Sequence, residues 1–129
     1  MIRLAIVGSS RLTPAEALVA RSVVGEVIDR YAPDEVVSGG ADFIDTLARE
    51  EALRRGIGGP DFLPEVCRWD GGDKVGFKQR NLKIAEYCTH LVRIVSPHPR
   101  TYGSGWTRDR ANEMGKHTEE IVLQKGALK

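Results

Sequence analysis

The chain has 129 residues and 41% hydrophobic content, which describes one ordinary domain, 1–129, long enough to bury a core. Its formal net charge of +1 excludes the overall basic footprint of a duplex-DNA binder. No apolar run approaches the roughly 20 residues of a membrane span, and the opening "MIRLAIVGSS" is too short in apolar residues for a signal-peptide core, so a cytoplasmic protein with no membrane partner is expected.

In chain order, "IRLAIVG" (2–8) is a short run apolar on both faces and ends in glycine, the pattern of a buried parallel strand. "LTPAEALVARSVVGEVIDRY" follows. Thr13, Pro14 and Glu16 form a capping box with proline at the first helical position, and Ala17, Ala20, Val24, Val27, Ile28 and Tyr31 share one helical face. Pro33 stops that helix. "DEVVSGG" (34–40) is a second strand and its loop. "DFIDTLAREEALRRG" (42–56) reads as a helix with Ile44, Leu47, Ala48 and Ala52 on its apolar side and Gly56 as its cap. "DFLPEVC" (61–67) reads as a strand, irregular or at an edge because of Pro64.

A loop, "RWDGGDK" (68–74), leads into a helix over 75–88 with Phe77, Leu82, Ile84 or Ala85, and Cys88 available to pack. "HLVRIVS" (90–96) is a strand and "PHPRTYGSGW" (97–106) a long loop. A short helix over 107–115, with Thr107 as a good N-cap, and a last strand over 118–125 complete the chain. This βαβαβαβαβ alternation predicts an α/β, Rossmann-like, doubly wound fold. Its sheet should be mainly parallel, of about five strands, with helices on both faces.

In such a sheet ligands sit beyond the carboxyl ends of the strands, where strand order reverses. Four loops fall at that edge, over 8–12, 38–42, 68–74 and 97–107, all carrying glycine, serine or charge. Helix N-termini follow them, which suits phosphate, with Arg11, Lys74, Lys78, Arg80 and Arg108 near in sequence. The G-x-G-x-x-G fingerprint is absent after the first strand and the P-loop is absent throughout, which disfavours an ordinary dehydrogenase or a Walker-type ATPase. Cys67 and Cys88 are too few and too far apart for a zinc framework, and read as two buried, reduced thiols. His90 reads as structural, and His98 and His117 as isolated. The expectation is no metal and no cofactor.

"VVSGGADFIDTLARE" resembles the S-G-G-A-x-G-x-D-x-x-A motif of the SLOG superfamily, which unites Smf/DprA proteins with LOG phosphoribohydrolases. Ser38, Gly39, Gly40, Ala41, Asp45 and Ala48 match it, and Phe43 replaces its glycine. "AIVGSSRLT" is similar to the opening strand and G-S-R loop of the small single-domain members. Gly76, Arg80 and Asn81 resemble their Arg-Asn helix. "GSGWTRDRANEMGK" resembles their last glycine loop and helix, and Trp69 matches a tryptophan they often carry. The resemblance covers nearly the whole chain.

It implies a nucleotide-binding fold, with a site built from the SGGA loop, the Arg-Asn helix and the final glycine loop. The expected ligand-binding residues are Gly8, Ser9, Ser10 and Arg11; Ser38, Gly39, Gly40, Ala41 and Asp45; Arg80 and Asn81; and Gly103, Ser104, Gly105 and Thr107. The leading expectation is a protein that binds a nucleotide or nucleotide-derived small molecule. The alternative is LOG-like N-glycosidic hydrolysis of a nucleoside monophosphate, with Asp109, then Asp45, as the carboxylate. Against it, "YGSGWTRDRA" lacks the P-G-G-x-G-T-x-x-E pattern of LOG hydrolases, and the glutamate position falls on Asp109 or Arg110. A weaker alternative is single-stranded nucleic acid in the same cleft. The small basic excess weighs against nucleic acid as a partner. Trp69 and Trp106 are candidate stacking residues. Self-association through helices beside the site is also expected.

Overall fold

The computed structural model describes residues 1–9, 12–39, 43–62, 72–97 and 103–123, with the backbone alone over 72–78. Within them the chain forms β1 (Arg3–Gly8), α1 (Pro14–Tyr31), β2 (Glu35–Val37), α2 (Ile44–Arg54), α3 (Gly72–Tyr87), β3 (His90–Val95), α4 (Gly103–Glu113) and β4 (His117–Val122). The four strands make one parallel sheet in the order β2-β1-β3-β4. This is the expected α/β architecture with one strand fewer than foreseen.

The fifth strand is the segment expected over 61–67, of which residues 61 and 62 are described. Among the described residues it is reduced to an isolated parallel bridge between Ser38 and Asp61 on the free edge of β2. Residues 58–62 still follow that edge: Val36 N–H donates to the Gly58 carbonyl (2.9 Å) and Phe62 N–H to the Ser38 carbonyl (2.8 Å). Two glycines and a proline, Gly58, Gly59 and Pro60, lead into the bridge, and such residues make poor strands. Residues 63–67 lie outside the described part.

Strand alternation builds two cores. Leu4, Ile6, Val36, Val92 and Ile94 face α1 and α2, joining Val24, Ile28, Ile44 and Leu47. Ala5, Val7, Val37 and Leu91 point the other way, against Ile84, Ala85 and Cys88 of the α3 end and Ala111 of α4. In β1, Leu4 to Val7 are all buried, as a central parallel strand requires.

The ends of α1 are as its sequence dictates. Thr13 Oγ1 accepts from Glu16 N–H (3.1 Å), Glu16 Oε1 accepts from Thr13 N–H (2.8 Å), and Ala32 closes the helix in a left-handed conformation. Of its predicted apolar face, Ala20, Val24, Val27 and Ile28 are buried, while Ala17 and Tyr31 are half-buried.

Two expectations are corrected in the second half. Helix α4 begins at Gly103, so Gly103, Ser104 and Gly105 are its first turn rather than a loop, and Thr107 lies inside the helix rather than capping it. Glycine and serine are weak helix formers; here tertiary contacts to β3 hold them in the helix. Nor is His117 isolated. The parallel register sets it opposite His90, with ring centroids 5.3 Å apart.

Candidate functional site

Strand order reverses between β1 and β3, so their carboxyl ends define the crevice where this architecture holds ligands. The two strands meet closely there. A Cβ on Gly8 would lie 1.9 Å from the Ile94 carbonyl oxygen, so only glycine fits. Ser9 N–H donates to that same carbonyl (3.1 Å), and Ser9 Oγ accepts from Ser96 N–H (2.8 Å). Gly8 and Ser9 thus splice β1 to β3. Ser10 and Arg11 lie outside the described residues.

Under this junction sits Glu16, 5% exposed. One carboxylate oxygen caps α1 through Thr13 N–H, and the other accepts from the Ser96 hydroxyl. A single side chain therefore ties the N-terminus of α1 to the end of β3. The capping-box pattern makes the first bond legible from local spacing; the second joins residues 80 positions apart.

The second cluster surrounds the end of β2. Ser38 is fully buried and its hydroxyl donates to Asp61 Oδ1 (2.8 Å). Arg49 of α2 holds the same aspartate (2.7 Å) and reaches the Val36 carbonyl (3.0 Å). Arg80, 9% exposed, crosses from α3 to donate to the Gly39 carbonyl (2.6 Å) and to Asn81 Oδ1 (2.7 Å). Burial lowers the pKa of this guanidinium, and the nearby Asp45 carboxylate opposes that shift. A Cβ on Gly39 would lie 2.3 Å from Arg80 Nη1, so the glycine is what lets the arginine reach the backbone.

Asp45 is half-buried in the first turn of α2. Gly40 and Ala41 lie outside the described residues. Phe43, at the N-cap of α2, is 37% exposed and adopts φ 64°, ψ −111°.

The third cluster is the start of α4. Ser104 is buried and its hydroxyl accepts from Arg93 Nε of β3 (2.9 Å); Thr107 is 1% exposed. Gly105 lies against the Arg93 guanidinium, where a Cβ would be 3.5 Å from Nη2. Arg93 also pairs with Glu120 of β4, which Arg108 shares. No sequence signal marks Arg93 as the organiser of this corner, since a strand-interior arginine gains meaning only from its neighbours. Asp109 is exposed and pairs with Arg108 (3.1 Å). Trp106 is half-buried beneath the Arg110 guanidinium, 5.2 Å from its ring centroid. Trp69, His98 and Cys67 lie outside the described residues. Cys88 is buried, and burial pushes its thiol up to about 11.

Among the described residues no group of three or more His, Cys, Asp or Glu is arranged to hold a metal ion, and no helix is long and apolar enough to cross a membrane. What the geometry offers is a carboxyl edge with a buried carboxylate at the β1/β3 junction, a buried guanidinium at the end of β2, and polar first turns on α2 and α4.

No protein-family profile and no curated protein matches this sequence. Solved structures do. The X-ray structure of DNA processing protein A from Streptococcus pneumoniae matches 97% of this chain with a TM-score of 0.71 at 24% identity. DNA processing protein A from Helicobacter pylori, described for its single-stranded DNA binding mode, matches 96% with a TM-score of 0.66 at 19% identity. The chain spans 52% and 66% of those two proteins' lengths. The likeness establishes a DprA-like, Rossmann-like fold. It also corrects the argument that a small basic excess weighs against nucleic acid, because the Helicobacter pylori protein has a single-stranded DNA binding mode on this architecture.

Proposed function

We propose that this chain binds single-stranded DNA along the carboxyl edge of its sheet, with phosphate held between the end of β2 and the first turn of α2. The observation that carries the reading is Arg80. It is a guanidinium buried in a region where charge acts at reduced dielectric; it donates to the Gly39 carbonyl and the Asn81 amide oxygen, with the Asp45 carboxylate near enough to act on its charge. Ser9, Ser38, Gly39, Asp45, Asn81, Ser104, Gly105 and Thr107 line or brace the same edge. Most of their hydrogen bonds go to the protein itself, so their part is to hold the backbone in shape. The likeness to the Helicobacter pylori protein supports choosing a single strand.

A second reading, a small nucleotide as ligand, is favoured by Glu16. A buried carboxylate at the β1/β3 junction suits ribose hydroxyls or base amino groups and repels phosphate. Hydrolysis finds less support, because Asp109 faces solvent and is paired with Arg108.

Anisotropy of a fluorescein-labelled oligothymidylate titrated with the protein tests the first reading. Binding at low salt that weakens steeply as salt rises is expected, since each phosphate contact releases counterion. No binding at low salt refutes it. Stabilisation by nucleoside monophosphates without any oligonucleotide binding shifts the conclusion to the second reading.

A further inference from the structure

Phe43 satisfies none of the reasons for which folding retains an aromatic side chain. Its backbone, at φ 64° and ψ −111°, lies outside the left-handed helical well, in a region that residues with a side chain avoid and glycine enters freely. Among the described residues the other non-glycine position with positive φ is Ala32, whose 45° and 57° are those of an ordinary left-handed helix cap. The ring of Phe43 joins neither core cluster. It is the one aromatic among the exposed large hydrophobic residues of the described part. The position is both strained and apolar toward water, and neither property aids stability.

Its place is specific. Phe43 caps α2, with its carbonyl accepting from Leu47 N–H (2.9 Å) to close the first turn. Two residues on, Asp45 is near enough for its charge to act on Arg80, which itself grips the Gly39 carbonyl. The ring therefore opens the helix whose first turn carries the carboxylate that acts on the buried cation. A nucleotide offers an anion and a flat apolar face joined by a sugar, and a guanidinium and an exposed aromatic ring at one end of the sheet suit the two.

We infer that Phe43 is the stacking platform for a nucleobase of the bound strand, and that it gives the site its preference for base-bearing strands over bare phosphodiester. The inference rests on the single-strand reading above. Stacking on an aromatic ring tolerates any base, so the platform confers grip without sequence preference.

The test compares wild type, F43G and F43W binding to labelled oligothymidylate and to an abasic oligonucleotide of equal length, with thermal melts of each protein alongside. Wild type is expected to prefer the base-bearing strand by about ten-fold, the order of one stacked base. F43G should erase that preference while leaving abasic affinity unchanged, and F43W should keep it. F43G should also melt higher than wild type, since relief of the strained φ outweighs the added freedom of glycine in the unfolded chain.

The inference is overturned if F43G retains the wild-type preference. It is equally overturned if F43G melts lower and weakens both ligands together, which marks the ring as structural. Wild type binding both strands equally overturns this inference alone; wild type binding neither overturns the single-strand reading with it. Lost self-association in F43G with an unchanged preference assigns the ring to a contact between copies and overturns it too.

Discussion

The two ends of the sheet solve different problems. At the amino edge, polar and aromatic side chains satisfy one another. The Tyr31 hydroxyl donates to Glu119 Oε1 (2.7 Å), so His117 Nε2–H must be the donor in its 3.0 Å contact with the same hydroxyl. Arg30 grips both oxygens of Glu119 at 3.0 Å. His90 packs on Tyr31 and His117, and its Nδ1 meets Thr89 Oγ1 at 2.8 Å. Arg3 lies over the Tyr87 ring at 4.8 Å. Burial beside Glu119 pushes the Tyr31 phenol up to about 12. At the carboxyl edge the economy is reversed: glycines admit backbone or guanidinium contacts no other residue allows, Phe43 holds a strained φ, and one charge of each sign is buried. An edge that closes on itself supports the fold. An edge that accepts strain and burial of charge is the one on which the proposed binding rests.

That contrast predicts a graded response to substitution. The largest loss belongs to Gly8→Ala, because the new methyl would meet the Ile94 carbonyl at 1.9 Å and backbone cannot rotate away. We expect destabilisation of about 3 kcal/mol or more, at the upper end of overpacking effects, read from urea denaturation. A loss under about 1 kcal/mol would show that the β1/β3 junction is looser than described.

Next is Arg80→Ala, which leaves the Gly39 carbonyl without its guanidinium and removes the cation. A cost of about 1–3 kcal/mol is expected for the orphaned buried acceptor. Oligonucleotide affinity should fall, with a shallower salt dependence. If stability falls and binding is untouched, Arg80 is a brace alone and the phosphate reading fails.

How much of this was legible in the sequence depends on the range of the interaction. Helix α1 was readable almost whole, since Thr13, Pro14, Glu16 and the spacing of Ala20, Val24, Val27 and Ile28 are all local signals. The α/β class followed from alternation. Of the strand expected over 61–67, only Asp61 and Phe62 fall within the described residues, and they pair with the edge of β2. The start of α4 was missed because Gly103, Ser104 and Gly105 have loop propensity, and the side chain that steadies them, Arg93, comes from another strand. At the site, Gly39 and Arg80 were both marked, but not that one exists to admit the other. The second bond of Glu16 and the meeting of His90 with His117 arise only once parallel register is set.

A smaller effect, at the amino edge, is pH-dependent. Burial, then the charge of His117, lowers the pKa of His90 in the folded state. Tyr31, Thr89 and His117 face it, with Glu119 and Arg30 behind Tyr31. Because the unfolded chain takes up the proton more readily, the contribution is whole above about pH 6.5, the unperturbed value, and is lost as pH falls below it. His90→Gln should flatten that part of the stability-versus-pH curve, measured by urea denaturation across pH 7.5 to about 5.5. An unchanged slope would mean that His90 does not report on the packing of this edge.

The smallest effect separates the two edges most cleanly. Arg30 is 55% exposed, so its pair with Glu119, a single nitrogen shared between both carboxylate oxygens, competes with water and salt. Arg30→Ala should cost about 0.2–1 kcal/mol, and the difference from wild type should shrink in 1 M salt, where the Debye length is only about 3 Å. Glu119 keeps its bond from Tyr31 in the variant, so no buried group is orphaned. A self-closed network loses one member and redistributes, whereas the carboxyl edge, built on contacts without slack, cannot. A loss above about 2 kcal/mol for Arg30→Ala, beyond what exposed pairs deliver, would erase that distinction and make the amino edge as tightly determined as the site.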